Sequence, residues 1–152
     1  MQKEPYNRYS FLLDRTARRV KQYAQIVFAN KGFDMTVDQW MVLKNLYEHQ
    51  DLTQKELAER CGKDQPTLTR IVDLLIKKKL AERKVHPNDR RSFIVHLTDL
   101  GRVKVQELSP QIKQIRTKAW EKLNEGDFKQ LERILNTIYN NLTLDDHPGS
   151  KE

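Results

Sequence analysis

Between Thr53 and Ile76 the chain has room for one short helix, a tight turn and one longer helix. Thr53 is followed three residues later by Glu56, the spacing of a capping box, in which a hydroxyl and a carboxylate satisfy amides that a helix start leaves unpaired. Leu57 and Ala58 face inward, and Cys61-Gly62 ends the helix early, glycine taking a positive φ at little cost. Asp64 then caps a second helix that tolerates Pro66 in its first turn. Leu68, Ile71, Val72, Leu75 and Ile76 give that helix an inward face. Such a pair holds its second helix proud of the surface. Gln65, Thr67, Thr69 and Arg70 then lie near the helix start, largely on the outward side, just after Lys63. Amides, hydroxyls and a guanidinium placed there match the donors and acceptors of base edges in the major groove, and a helix N-terminus favours a nearby phosphate. An ordinary helical hairpin with a polar outer face has the same pattern, so the stretch that follows carries the decision.

That stretch reads as a basic β-hairpin. Leu80 to Val85 is an extended candidate. His86-Pro87-Asn88-Asp89 has turn chemistry, since Pro fixes φ and Asn and Asp form side-chain turns. Arg91 to Leu97 returns as a strand in which Phe93, Val95 and Leu97 alternate with Ser92, Ile94 and His96. The tip and its approach carry Lys84, His86, Arg90 and Arg91. Arginine on a protruding tip suits the minor groove, whose negative potential draws it in. Asp89, two residues before Arg91, is placed to hydrogen-bond the guanidinium and fix its direction. The whole describes a winged helix-turn-helix that reads double-stranded DNA by sequence.

Charge supports a polyanionic partner. Residues 60–104 hold twelve of the 28 Lys and Arg against five of the 21 Asp and Glu, a net +7 equal to that of the entire chain. Phosphate contacts and counterion release would act there, although a solvated basic face has the same composition. The run Lys77-Lys78-Lys79 reads as phosphate contact or plain solvation. The single cysteine, Cys61, excludes an intrachain disulfide and reads as a small core residue. No apolar run is long enough to span a membrane and the first residues lack a signal-like apolar core, which makes a cytoplasmic protein the simplest expectation. The four histidines are scattered, and neither a phosphate loop nor a nucleophile elbow occurs. No catalytic residue, metal site or cofactor is therefore expected.

The flanking segments are helical. Residues 1–8 read as a short polar arm, followed by a helix from about Tyr9 to Phe28 with an apolar stripe at Leu13, Ala17, Val20, Ala24 and Val27. Gly32 suits the helix end, and Thr36 with Gln39 forms another capping box before a helix burying Trp40, Leu43, Leu46 and Tyr47. From Thr98 a long helix runs to about Leu123, with Val105, Leu108, Ile112, Ile115 and Ala119 at heptad spacing and Pro110 expected to kink it. Asn124 caps a last helix with Phe128, Leu131, Ile134 or Leu135, Ile138 and Leu142 on one stripe. The fold class is thus mainly α with a small β-hairpin wing. Residues 33–98 form the DNA-binding lobe, 1–32 and 99–144 dimerisation helices, and 145–152 a flexible tail. The stripes exceed what a small lobe needs for cover, so a homodimer is expected, with an intrachain bundle as the alternative. A two-fold dimer spaces its reading helices one DNA turn, about 34 Å, apart and matches a palindromic site.

At Asp89-Arg90-Arg91 and Leu97-Thr98 the sequence resembles the multiple-antibiotic-resistance regulator (MarR) family, whose wing signature is D-x-R, five residues, then L-T. Leu57-Ala58-Glu59 and Pro66 to Val72 resemble the family's L-A and P-T-V-T-R-hydrophobic patterns, and Leu80 with Glu82-Arg83 its G-L-V-x-R pattern, with Lys79 in place of the usual Gly. The resemblance implies a homodimeric, ligand-responsive repressor whose reading helix enters the major groove and whose wing arginine enters the minor groove. It also implies a small phenolic or aromatic effector bound between the dimerisation helices and the lobe, where Phe11, Phe28, Trp40, Met41 and Tyr47 would line a candidate ligand pocket. Peroxide-sensing relatives carry a cysteine in the first helix, and this chain has none over residues 9–29. The competing reading is a winged-helix module that binds protein without specific DNA recognition.

Overall fold

A computed structural model describes residues 5–145 and 149 of the chain, in two compact units that divide between Arg116 and Thr117. Helix α1 spans Pro5–Asn30. It begins inside the stretch expected to be a polar arm, because proline at a first helical position has no amide to leave unpaired. Residues 1–4 lie outside the described residues, as does nearly all of the expected tail.

Helix α2 (Val37–Glu48) starts on a complete capping box: Thr36 Oγ1 accepts the Gln39 amide at 3.1 Å and Gln39 Oε1 accepts the Thr36 amide at 3.4 Å. Next come a two-residue strand β1 (Leu52–Thr53), α3 (Gln54–Cys61) and α4 (Gln65–Lys77). Gly62 ends α3 in the left-handed region at φ 62°, as the turn requires. Strands β2 (Ala81–His86) and β3 (Asp89–Leu97) form the hairpin. The sheet has three strands, antiparallel, in the order β1-β3-β2, with Leu52 opposite Val95 and Thr53 opposite Ile94. Strand β1 is an addition to the expected hairpin and anchors its base to the start of α3.

Helix α5 (Asp99–Ala119) continues through Pro110 and stops short of the expected end near Leu123; Lys122 has φ 68°. Thr98 starts it, accepting the Gly101 amide at 3.0 Å and donating to the Lys79 carbonyl at 2.7 Å. A Cβ on Gly101 would collide with the Leu80 carbonyl and with Leu97 Cδ1, so glycine there lets α5 approach the base of the wing.

One core joins the end of α1 (Ala24, Phe28), α2 (Trp40, Leu43, Leu46), Leu57, the inner face of α4, Val95, Leu97 and α5 from Val105 to Ile115. The heptad stripe of α5 is therefore largely covered by its own chain, contrary to the expectation that it waits for a second copy. Exposed apolar side chains remain on α1, at Tyr9, Leu13, Val20 and Tyr23. The lysine run also departs from expectation. Lys78 Nζ donates to the Asp34 carbonyl at 2.7 Å and to the buried Gln39 at 3.0 Å, tying the end of α4 to the start of α2. Lys79 takes the left-handed turn at φ 63°, and only Lys77 and Lys79 are exposed.

The second unit contains α6 (Glu125–Asn141), capped reciprocally by Asn124 and Asp127 at 2.9 and 3.0 Å. Trp120 and Phe128 meet edge to face at 5.8 Å. No residue of α6 is buried. An open, mainly apolar groove of about 470 Å³ is lined by Thr117, Trp120, Phe128, Leu131, Glu132 and Leu135.

Candidate nucleic-acid interface

The start of α4 is built by Asp64, whose carboxylate accepts the Thr67 amide at 2.7 Å. That amide, and next the Thr67 hydroxyl, hold the Asp64 carboxyl below the ordinary carboxylate range. Gln65 and Arg70 are exposed, while Thr67 and Thr69 are half-buried. Lys63 is not a free cation at the turn. Its ammonium lies 2.9 Å from Asp38 Oδ1, and Lys21 of α1 lies 3.0 Å from Asp38 Oδ2. Burial pushes the Asp38 carboxyl up, but the hydrogen bonds and charges of Lys63 and Lys21 outweigh it, leaving the group below its usual range. The turn is thereby stapled to α1 and α2, and Lys63 has this role besides any phosphate contact.

In the wing, Ala81 pairs with Leu97 and the register holds to Val85 opposite Phe93, then shifts so that His86 faces Asp89. Such an irregularity re-aims a strand end. Lys84, Arg90 and Arg91 are all exposed, and among the described residues neither the Arg90 nor the Arg91 guanidinium has a hydrogen-bond or ion-pair partner. Asp89 departs from its expected role. It accepts the main-chain amide of Arg91 at 3.0 Å rather than the guanidinium, so it orients Arg91 through the backbone. His86 Nδ1 accepts the Asn88 amide at 3.0 Å, closing the turn. Val95 and Leu97 are buried as the alternation predicts, but Phe93 is 43% exposed because the hairpin has left the body of the protein there.

The reading helix and the wing are joined by groups that the local sequence pattern did not single out. Arg83 on β2 donates through Nη2 to Asp73 of α4 at 2.9 Å and through Nε to Gln54 Oε1 at 3.2 Å. Gln54, the first residue of α3, donates to Thr69 Oγ1 at 2.7 Å. Arg83 is marked in the sequence only by the family pattern; Gln54 and Asp73 carry no signal there, since their partners are distant in sequence.

The candidate ligand pocket is brought together in part. Phe28 and Trp40 are buried core residues, Met41 and Tyr47 pack partly against that core, and Phe11 stays outside it with the Arg15 guanidinium 5.5 Å from its ring. None of the five lines the groove of the second unit. Trp40 Nε1 is the one buried side-chain polar atom without a hydrogen-bond partner among the described residues. Cys61 is buried in the core, and burial pushes its thiol up against a smaller opposing effect of Lys63, which favours the unreactive protonated form. Among the described residues no three His, Cys, Asp or Glu are grouped to hold a metal, and no helix is long and apolar enough to cross a membrane.

Known proteins share this arrangement. A model of the MarR family matches residues 33–92, from the approach to α2 through the wing tip. A protein of unknown function from Listeria innocua is 32% identical, with a TM-score of 0.65 over 91% of this chain and 95% of that one. S. aureus MepR, solved as a DNA complex, is 28% identical with a TM-score of 0.76 over 88% of this chain and 98% of that one. BpsR of Bordetella bronchiseptica, described with regulation of its DNA binding by 6-hydroxynicotinic acid, is 25% identical with a TM-score of 0.77 over 87% of this chain and 98% of that one. With its helix-turn-helix, its three-stranded wing and these likenesses together, the chain belongs to the MarR family of winged-helix transcriptional regulators.

Proposed function

We propose that this protein is a repressor that binds a palindromic duplex operator as a homodimer and releases it when a small aromatic or phenolic ligand binds. The observation that carries the reading is the pair of exposed guanidinium groups, Arg90 and Arg91, which have no partner among the described residues, on a wing tied to the same frame as the reading helix. Arginines left unpaired at a protruding tip suit a negatively charged groove. Gln65, Thr67, Thr69 and Arg70 would face the major groove, with Lys84 and Lys63 near phosphates. Residues 33–98 would act as the reading lobe. The exposed apolar side chains of α1 and those of α6 support pairing with a second copy. The effector rests on BpsR, whose DNA binding is described as regulated by 6-hydroxynicotinic acid.

Selecting bound duplexes from a random pool tests the DNA reading. A preferred sequence should emerge, and its affinity should fall steeply with salt as counterions are released. Arg91→Ala should cost about 1–3 kcal/mol of binding. Equal affinity for every duplex in the pool would overturn the reading, as would binding indifferent to salt. Screening small aromatic acids for release of the selected duplex then tests the effector.

A further inference from the structure

We propose that Gln54 is a positioning residue for base recognition: by donating to Thr69 and accepting from Arg83 it sets both the seating of the wing and the hydrogen-bonding sense of Thr69. The proposal rests on the DNA-binding reading above.

Arg83 decides the orientation of the Gln54 amide. A guanidinium only donates, so the atom 3.2 Å from Arg83 Nε is the amide oxygen, and the NH₂ group necessarily faces Thr69 Oγ1 at 2.7 Å. The Thr69 hydroxyl spends its one proton on the Gln65 carbonyl, 2.9 Å away in the preceding turn of α4. The chain of donors therefore runs in one direction, from Arg83 to Gln54 to Thr69 to the Gln65 carbonyl. Arg83 is held at its other edge by Asp73 at 2.9 Å.

Two consequences follow for recognition. The wing strand β2 and the first turn of the reading helix share one relay, so the distance between the wing arginines and the exposed Gln65 and Arg70 is set partly by Gln54. Thr69, with its proton used and one lone pair occupied, has nothing left to donate. It can accept from an exocyclic amine of cytosine or adenine, or touch a thymine methyl, but it cannot donate to guanine O6 or N7. An unrelayed threonine has both options. Gln54 thus narrows which bases Thr69 accepts without itself needing to reach the DNA.

The test uses the full-length protein and two variants, each put through selection from a random duplex pool, then affinity measurements on the selected and random duplexes across a salt series. Gln54→Leu removes both arms of the relay. Gln54→Glu keeps the acceptor for Arg83, replaces the donor to Thr69 by an acceptor, and places an acid at a helix start where it is favoured, so it preserves the fold if the leucine variant does not. The expected result is a roughly tenfold lower ratio of selected-site to random-duplex affinity for Gln54→Leu, with the slope of log affinity against log salt unchanged because the phosphate contacts are intact. Gln54→Leu, which leaves the Thr69 hydroxyl free to turn, should select a site altered at one position in each half, with a donor-accepting base newly admitted there. Gln54→Glu keeps the Thr69 proton committed, to its carboxylate or to the Gln65 carbonyl, and should go on excluding that base. A purely structural role for Gln54 would lower the melting temperature and weaken all duplexes alike. That pattern overturns the proposal, and so does an unchanged selected site and ratio in both variants. The wild-type arm stands apart: the absence of any preferred duplex there overturns the DNA reading and this proposal with it, whereas a wild-type site that both variants retain overturns this proposal alone.

Discussion

Lys79 holds a left-handed backbone conformation at a residue that carries a Cβ. At φ 63° its Cβ crowds the following carbonyl, a cost of about 1–2 kcal/mol that glycine escapes. The conformation persists because Lys79 and Leu80 amides close the end of α4 onto Ile76 and Leu75, and the Lys79 carbonyl receives the Thr98 hydroxyl. Lys79→Gly is therefore expected to raise the urea midpoint, by roughly 1 kcal/mol of stability at unchanged m-value, once the added chain entropy of glycine is set against the relief. Gly101 behaves in the opposite sense. Gly101→Ala drives a methyl into the Leu80 carbonyl, a main-chain atom that cannot swing aside, and should lose about 1–3 kcal/mol in the same measurement. Asp38 adds a pH signature. Its folded carboxyl titrates below its unfolded value, so its contribution is complete above the unfolded value of about 4 and is lost as pH falls through the folded one. The stability gap between the wild type and Asp38→Asn should be flat at neutral pH and shrink below about pH 4. A gap that widens on acidification would contradict the Lys21 and Lys63 pairing.

At the level of elements, what the sequence made legible was local and periodic. Both the cap at Thr53 and the Gly62 turn depend on neighbours within a few residues. The turn forms as its spacing indicates, while the Thr53 hydroxyl accepts the Glu56 amide at 3.1 Å but the Glu56 carboxylate does not return the bond, so the expected capping box is only half made. Strand β1 has only two residues, too few for any alternation to show, and it exists because Val95 and Ile94 offer an edge. The relay from Arg83 was equally hidden, since the residues it joins are brought together only after three elements have packed. For α5 the periodic pattern misleads in the opposite direction. Heptad spacing says that a stripe will be covered but not by what, and the stripe of α5 is buried as far as Ile115 within the core it shares with the rest of its own unit. Arg83→Ala should accordingly speed amide hydrogen exchange in β2 and the outer part of β3 while leaving α2 protected, because the wing loses its tie to α4. Uniformly faster exchange throughout the first unit would point to global destabilisation instead.

For the whole molecule, the proposed pairing makes a quantitative demand. Sedimentation at micromolar concentration should give twice the 18.1 kDa chain mass, and Ile138→Glu, placing a charge among the exposed apolar side chains of α6, should reduce it to one chain. A wild-type mass of a single chain would remove the two-fold operator geometry from the proposal. The two tryptophans offer a way to watch the same event optically. One lies in each compact unit: Trp40 is 1% exposed in the core and Trp120 is 43% exposed on the groove of the second. A sealed indole emits toward the blue and a wetted one toward the red, so the chain carries two intrinsic colours. Opening of the reading unit would shift the Trp40 band redward, and cover over the groove would shift the Trp120 band blueward. Single Trp→Phe variants separate the two signals, so that folding of one unit and occupation of the other can be followed in one cuvette without any attached dye.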